Sequence, residues 1–550
     1  MLNNEDIFKK ISNTSTNLEK RFFGKYYTPK IAAREIINEF INHISLKPGK
    51  NKRLRIIDPF GGDGRLIRWL IEETNARNLE NLSWDVTLWD INDIGLLQAK
   101  RELLELRSKK NLTFEIIHSD AFIRYKKTIQ SNFQKYDFVL TNPPWYVIKP
   151  DSRRKIFRDK DNKKDDLIKE YKEYDAFINS TFHLSKPKVK FGGWGTDLSR
   201  VGLELCHNLV VNNGYIGIVL PPSFLADQKS YQLRKSFIDS YEILLIESFP
   251  AESKLFTGAD VGAISCLFKK KVVKNQQFIS GIYDKECKLI SREKIILTKE
   301  QFLKFDYIIP VNYGQKRIDL LNLISNKFPS WHYVEKNNKP TFWAGRELDE
   351  TGSKNWLVDK GNGPLFIKGK NISRYEKNNN SLKRISKELK APKSSKYTRI
   401  VWRDISRRNQ KRRMIATLVE PDIIAGNSLG VVYIRSENDS ILKTLLGIMN
   451  SFCFEFQLRC HLFTGHISLG SIRKVCIPNI DEISKHKNLA NLVDRVIKGE
   501  NDLENQIEIY VSKKIYGLTK EQFKDILFCF EKYPEEDKIK LIQEYSKYTN

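Results

Sequence analysis

Short apolar runs alternate with amphipathic stretches through the first half of the chain. Residues 31 to 44 (IAAREIINEFINHI) carry apolar positions at helical spacing, with Thr28 placed as N-cap and Pro29 as the first helical residue. Leu54 to Asp58 (LRIID) is a short continuous apolar run that predicts a buried strand, and a Gly-rich turn and the helical pattern RLIRWLIEE follow it. Next come a strand in VTLWD (Val86 to Asp90), a helix in GLLQAKRELLEL, and strands in FEIIHSD (Phe114 to Asp120) and YDFVLTN (Tyr136 to Asn142). Strands alternating with helices predict an α/β fold with a doubly wound, largely parallel sheet covered on both faces.

A basic stretch of low hydrophobicity, Lys149 to Lys164, reads as an insertion or mobile loop. Alternation then resumes between residues 200 and 270, with a helix near GLELCHNLVV, a strand in YIGIVLP, a helix in SYQLRKSFID and strands in EILLIESF and VGAISCLFKK. The first domain is therefore expected over residues 1–275. Residues 276–484 are irregular, short-stranded and rich in Lys, Arg, Gly and aromatics, which predicts a second domain built around loops. Residues 485–550 predict a helical C-terminal segment, and no internal repeat is present.

At 550 residues, with 40% hydrophobic and 29% charged residues, the composition suits a soluble protein of two or three domains. No stretch approaches the ~20 apolar residues of a membrane span, and MLNNEDIFKKISNTS has no signal-peptide core, so a cytoplasmic location is expected. The seven cysteines are scattered and never form a Cys-x-x-Cys pair, which suggests neither a disulfide framework nor a zinc site. A net charge of +27 favours a polyanionic partner through phosphate neutralisation, although a Lys-rich solubilising surface gives the same number.

Candidate chemistry gathers at the predicted strand ends. In IIDPFGGDGRLIRWL an acid, Asp58, is followed by Gly61, Gly62 and Gly64 and then a helix, so the backbone can turn tightly and present helix N-terminal amides to a ligand. An ordinary strand-to-helix turn has the same appearance. Asp90 ends the next strand, where doubly wound folds place the acid that binds ribose hydroxyls. Asp120 ends the third and suits an adenine amine, with Phe122 covering the ring. Taken singly, each acid serves equally well as a helix cap. Thr141 to Tyr146 (TNPPWY) follows the fourth strand, and its two prolines make a rigid corner lacking two amide donors. An exocyclic amine has two hydrogens, for which Asn142 and the Pro143 carbonyl supply two acceptors. Trp145 offers a flat surface for an unstacked base. A Pro-Pro loop that merely ends a strand is the plainer account, but here the corner follows a Gly-rich turn and spaced acids.

These motifs, in this order, resemble those of the N6-adenine DNA methyltransferases of the gamma order, the TaqI type. The counterparts are Tyr26, Thr28 and Pro29 in GKYYTPK; Asp58, Pro59, Gly62 and Gly64; Asp90; Asp120; and Asn142, Pro143, Pro144 and Trp145, where the family often has tyrosine in the last place. The resemblance covers the first 275 residues. It implies a Rossmann-like methyltransferase sheet, S-adenosylmethionine as cofactor, and a donor site built from Tyr26, Thr28, Pro29, Asp58, Pro59, Gly62, Gly64, Asp90, Asp120 and Phe122. It implies also that Phe256, in SKLFTGADVGAISCLF, stacks with Trp145 on a flipped target adenine, with a core contact at a strand entrance as the plainer alternative. No metal is needed.

Segments at Phe342 to Gly352, Pro364 to Tyr375 and Ile400 to Leu418 resemble recognition-domain pieces of longer bacterial restriction-modification methyltransferases, so an α+β target recognition domain is expected. Arg403, Arg407, Arg408, Lys411, Arg412 and Arg413 form a cation run suited to phosphates or guanine edges, or to a solvated surface. The implied partners are double-stranded DNA and a separately encoded restriction endonuclease, with the chain itself a monomer. RNA adenine methylation, protein glutamine methylation and a non-catalytic DNA specificity role are the rival readings.

Overall fold

The computed structural model describes residues 27–44, 52–79, 81–107, 111–129, 134–148, 163–186, 195–256, 261–339, 341–350, 352–359, 361–378, 382–386, 388–406, 410–435, 439–460, 462, 465–500 and 502–548. The chain divides into two compact units after Gln315.

In the first unit, nine strands form one mixed sheet. They are β1 (Lys52–Asp58), β2 (Leu82–Asp90), β3 (Leu112–His118), β4 (Tyr136–Thr141), β5 (Val210–Leu220), β6 (Glu242–Phe249), β7 (Ala263–Lys269), β8 (Asn275–Tyr283) and β9 (Leu289–Thr298). Their order is β3-β2-β1-β4-β5-β7-β6-β8-β9. Strands β1 to β5 run parallel, β7 is antiparallel to both neighbours, and β9 is antiparallel to β8. The inner strands are apolar on both faces because helices cover both. On one face lies α1 (Lys30–Asn42), whose Phe40 stacks on Phe138 of β4 with centroids 3.8 Å apart. The approach is close enough that a Cβ on Gly217 of β5 would lie 2.5 Å from Ile36.

Three details differ from expectation. Helix α1 begins one residue late, so Pro29 holds the N-cap position without a side-chain cap bond and Thr28 is not the cap; proline's fixed φ suits either place. The first unit extends past residue 275, because β8 starts there and pairs in parallel with β6, Leu245 opposite Ile279. A helix that alternation did not reveal spans Lys163–Thr181, with Tyr171, Tyr174 and Ile178 buried along one side and Phe182 buried just beyond it. The expected loop at 149–164 lies almost entirely outside the described residues.

The remaining helices around the site are α2 (Arg65–Ala76), α3 (Asp93–Arg107), α4 (Ala121–Thr128), α5 (the Lys163–Thr181 helix) and α6 (Leu198–Leu209).

The second unit holds two four-stranded sheets. One contains Phe342–Gly345, Leu429–Ile434, Arg399–Arg403 and Ala416–Val419; the other contains Leu357–Val358, Lys383–Ile385, Leu365–Ile367 and Ile423–Ala425. Short strands with long connections account for the irregular sequence pattern. The C-terminal helices belong to this same unit rather than standing apart: a Cβ on Gly447 would meet Val493 at 3.0 Å and Leu489 at 3.2 Å. Among the described residues no helix is long and apolar enough to cross a membrane.

Candidate active site

Because β1 to β4 are parallel neighbours, their C-terminal ends lie along one edge of the sheet. Asp58, Asp90, Asp120 and Asn142, distant in sequence, are brought to that edge, where open α/β sheets bind ligands.

The Gly-rich turn after β1 depends on its glycines. Gly62 has φ +52° and Gly64 φ +76°, a region in which side chains other than glycine are strained, and Gly64 caps α2. A Cβ on Gly64 would also lie 2.9 Å from Ala99 of α3. Asp90 Oδ2 accepts a 2.8 Å hydrogen bond from the Gly62 amide and Oδ1 accepts from Asn92, so this acid fixes the turn's backbone. Beside the turn, Asp63 takes a forked pair of bonds from Arg65, whose guanidinium lies 4.4 Å from the centre of the half-exposed Tyr27 ring. Tyr26 lies outside the described residues. Thr28 and Pro59 are buried.

Asp58 is buried and accepts at Oδ1 from the Thr141 hydroxyl (2.6 Å) and the Phe60 amide (3.0 Å). Burial pushes its carboxyl up to about 7, against the lowering influence of those two hydrogen bonds. The bond to Thr141 ties the Gly-rich turn to the next residue's corner.

Asp120 is the N-cap of α4, accepting at Oδ1 from the Phe122 and Ile123 amides. Its Oδ2 accepts a 2.8 Å bond from the Tyr174 hydroxyl. Phe122 is buried, with Phe60 and Phe182 at centroid distances of 5.4 and 5.6 Å. The acid and ring expected to meet an adenine are thus already engaged by α5 and the residue after it.

The corner Asn142-Pro143-Pro144-Trp145 is held from outside. Pro143 is buried against α6, where a Cβ on Gly202 would lie 2.4 Å from Pro143 Cβ. Beyond the corner, Leu198 donates to the Tyr146 carbonyl (2.8 Å) and Ile148 to the Thr196 carbonyl (2.9 Å), fixing the chain's exit. The Tyr146 hydroxyl donates to that of Tyr171 on α5 at 2.9 Å. Trp145 and Phe256 do meet, but edge to face with centroids 4.8 Å apart and planes at 66°. The Trp145 indole N–H is buried without an acceptor among the described residues.

The cation run of the second unit does not stand together as a surface. Arg412 is buried, bonded to Glu455 (3.0 Å) and Glu508 (2.8 Å). Burial disfavours its charge, but those two carboxylates hold its pKa above the ordinary value. Arg413 is also buried and donates to the Ser406 carbonyl, while Arg403 donates to the Gly369 and Ile372 carbonyls. Arg412 and Arg413 are therefore not surface cations available to phosphates or guanine edges, while the half-buried Arg403 places two of its donors in the unit's own packing. Lys411 is exposed, and Arg407 and Arg408 lie outside the described residues.

Sequence reasoning missed Thr141, Tyr171 and Tyr174. The last two had a signal, since Tyr171, Tyr174, Ile178 and Phe182 recur at spacings of three and four residues. Thr141 had none, because its role depends on the β1–β4 pairing.

No protein-family model matches the chain. Among solved structures it is similar to the type IIL restriction-modification enzyme MmeI in complex with DNA, at 12% identity over 100% of this chain and 82% of that one, with a TM-score of 0.55. It is similar also to DrdV in its DNA complex, at 11% identity over 90% of this chain and 59% of that one, with a TM-score of 0.52; the chain spans about three fifths of DrdV. The M protein of the type I restriction enzyme EcoKI matches 51% of this chain and 53% of its own at 13% identity and a TM-score of 0.31. The first unit has the Rossmann-like methyltransferase fold, accompanied by additional domains with a helical C-terminal region.

Proposed function

We propose that this chain is a site-specific DNA adenine methyltransferase that uses S-adenosylmethionine to methylate adenine N6, and that it is the modification arm of a type II restriction-modification system. The observation that carries this reading is the hydrogen bond from Thr141 to Asp58, which locks a glycine turn built for close ligand approach against a rigid corner of amine acceptors.

The residues present fit the donor. Gly62 and Gly64 leave the turn without side chains at the mouth of α2, Asp90 and Asp120 lie along the same edge, and the positive end of the helix suits a carboxylate. When bound, S-adenosylmethionine supplies an electrophilic methyl group on sulfonium.

This chain's own residues supply position and polarisation. Asn142 and the Pro143 carbonyl accept the two hydrogens of an amine, and the prolines keep those acceptors from relaxing away. The amine would gain the methyl as the methyl–sulfur bond breaks and would then lose one proton to solvent, so a neutral amide that only accepts its hydrogen bonds suffices. Trp145 is the platform for a base drawn out of the duplex, at a cost of a few kcal/mol that stacking at about 1–3 kcal/mol offsets. The second unit is assigned the task of choosing the sequence.

The test is transfer of tritiated methyl groups to duplex DNA, RNA and protein, followed by long-read sequencing of DNA from cells expressing the chain. Label in DNA at N6 of adenine within one short motif is expected. Label confined to RNA or protein, or none in any substrate, would sink the reading.

A further inference from the structure

Helix α5 joins two parts of the site by side-chain hydroxyls. Toward the donor side, the Tyr174 phenol donates to Asp120 Oδ2 at 2.8 Å, with both residues at least nine-tenths buried. Toward the corner, Tyr171 accepts from the Tyr146 hydroxyl at 2.9 Å. A second path runs from Asp175, which accepts the Thr196 amide at 2.8 Å, to Ile148, which donates to the Thr196 carbonyl at 2.9 Å.

We infer that Tyr174 is a specificity-determining stand-in for the donor's base: its phenol holds Asp120 until a purine bearing a 6-amino group exchanges with it, and the exchange is felt at the corner through Tyr171. The inference rests on the donor reading above.

A buried carboxylate oxygen left without a donor is costly, so an acid whose Oδ1 is already held by the Phe122 and Ile123 amides still gains from a donor on Oδ2 while it waits for its ligand. Tyr174 meets that need with the same kind of group the ligand brings, an uncharged donor. Burial and the adjacent Asp120 both push the Tyr174 pKa well above its ordinary value, so the phenol remains a donor. Phe182, next after α5, makes the matching substitution on the ring side by covering Phe122. A 6-amino purine replaces the phenol donor for donor. A 6-oxo purine turns a carbonyl toward the carboxylate and cannot. Once Tyr174 is released, α5 loses one of its ties, while Tyr171 and Asp175 connect it to the chain leaving the corner.

Calorimetric titration of the full chain with S-adenosylhomocysteine and with its 6-oxo analogue, S-inosylhomocysteine, tests this. Tyr174→Phe removes the competing hydroxyl, so the Kd for S-adenosylhomocysteine should fall about tenfold while the analogue's weak binding stays unchanged. Unchanged or weaker binding of S-adenosylhomocysteine by a folded Tyr174→Phe chain overturns the inference. Hydrogen exchange on the unmutated chain needs no variant: peptides from α5 should exchange faster when S-adenosylhomocysteine is added, and unchanged or slower exchange overturns it too. If the unmutated chain fails to bind S-adenosylhomocysteine at all, the donor reading itself falls, and this inference with it; binding without the Tyr174 effect removes only the inference.

Discussion

Thr141 and Asp58 end neighbouring strands, and the Thr141 hydroxyl donates a 2.6 Å hydrogen bond to Asp58 Oδ1 where both residues are fully buried. The bond links two loops that the chain reaches more than eighty residues apart. It does so with a carboxyl that burial pushes up to about 7, so the group takes up a proton on folding near neutral pH.

That proton gives a pH signature. The native pKa lies above the unfolded value of 3.8, so Asp58's contribution is fully present below about pH 4 and is lost as pH rises toward 7, by up to about 4 kcal/mol in all. His207 acts oppositely in the same window: burial first, and then Lys270 and Lys135, push it down to about 4, so its contribution is lost as pH falls below 6.5. The difference between the unmutated chain and Asp58→Asn isolates the first effect. In denaturant titrations the Asn variant should gain relative stability from pH 5 to pH 7 and level off above that. A difference that is flat with pH would mean Asp58 is ionised in the folded state.

Asn142→Ala should separate chemistry from donor binding. Asn142 stands at the rigid corner beyond the end of β4, while the glycine turn is held by Asp90. Removing one positioned acceptor should lower methyl transfer by about 100-fold or more, with the Kd for S-adenosylhomocysteine changed less than about threefold. Single-turnover rates beside calorimetry decide it; a parallel loss of both would assign Asn142 to the donor site.

The sheet and the edge that gathers the acids were legible because buried parallel strands leave continuous apolar runs, and the acids and the corner stand at the ends of those runs. Leu54 to Asp58 and Val86 to Asp90 are the C-terminal parts of β1 and β2. What periodicity could not give was any interaction between strands. The Thr141–Asp58 bond exists only once β4 lies beside β1, and the unit boundary at 275 failed because β8 and β9 add to an edge that the sequence does not mark. Arg412 was misread for a related reason. In a chain of net charge +27 a basic run resembles surface, and nothing local announces that Glu455 and Glu508 meet one of its members in the interior.

Under the proposed function, Trp145 should be the moving half of a base clamp. A purine between two parallel rings needs their planes about 7 Å apart, two contact distances of ~3.5 Å, whereas Trp145 and Phe256 now touch edge to face at 4.8 Å. Phe256 is 2% exposed and lies within the core, whereas Trp145 is partly buried and packs on that core from its edge, so of the two rings Trp145 is the one placed to turn. Trp145→Ala should reduce the flipped population about tenfold, read as a smaller rise in 2-aminopurine emission at the target position, with Trp145→Phe intermediate. Emission equal to that of the unmutated complex would remove Trp145 from the clamp.

Lys411 and Arg412 are adjacent in sequence, yet burial gives them opposite tasks. Arg412 lies with its guanidinium 3.8 Å from the centre of the Phe452 ring and is paired with two buried carboxylates; burial works against the Glu455 charge, but Arg459 and Arg412 beside it hold its pKa below the ordinary value. Arg412→Ala therefore takes one charged donor from each acid, leaving Arg459 on Glu455 and Arg374 on Glu508, and should destabilise the second unit by about 2–3 kcal/mol. Lys411 is exposed, and its loss should cost less than about 0.5 kcal/mol. If DNA phosphates do lie against it, Lys411→Ala should reduce the slope of log K against log salt by about 1, because one fewer counterion is released. Denaturant curves and salt titrations on both variants distinguish the two positions. An Arg412→Ala chain as stable as the original, with the flatter salt slope, would return Arg412 to the surface and reverse the assignment.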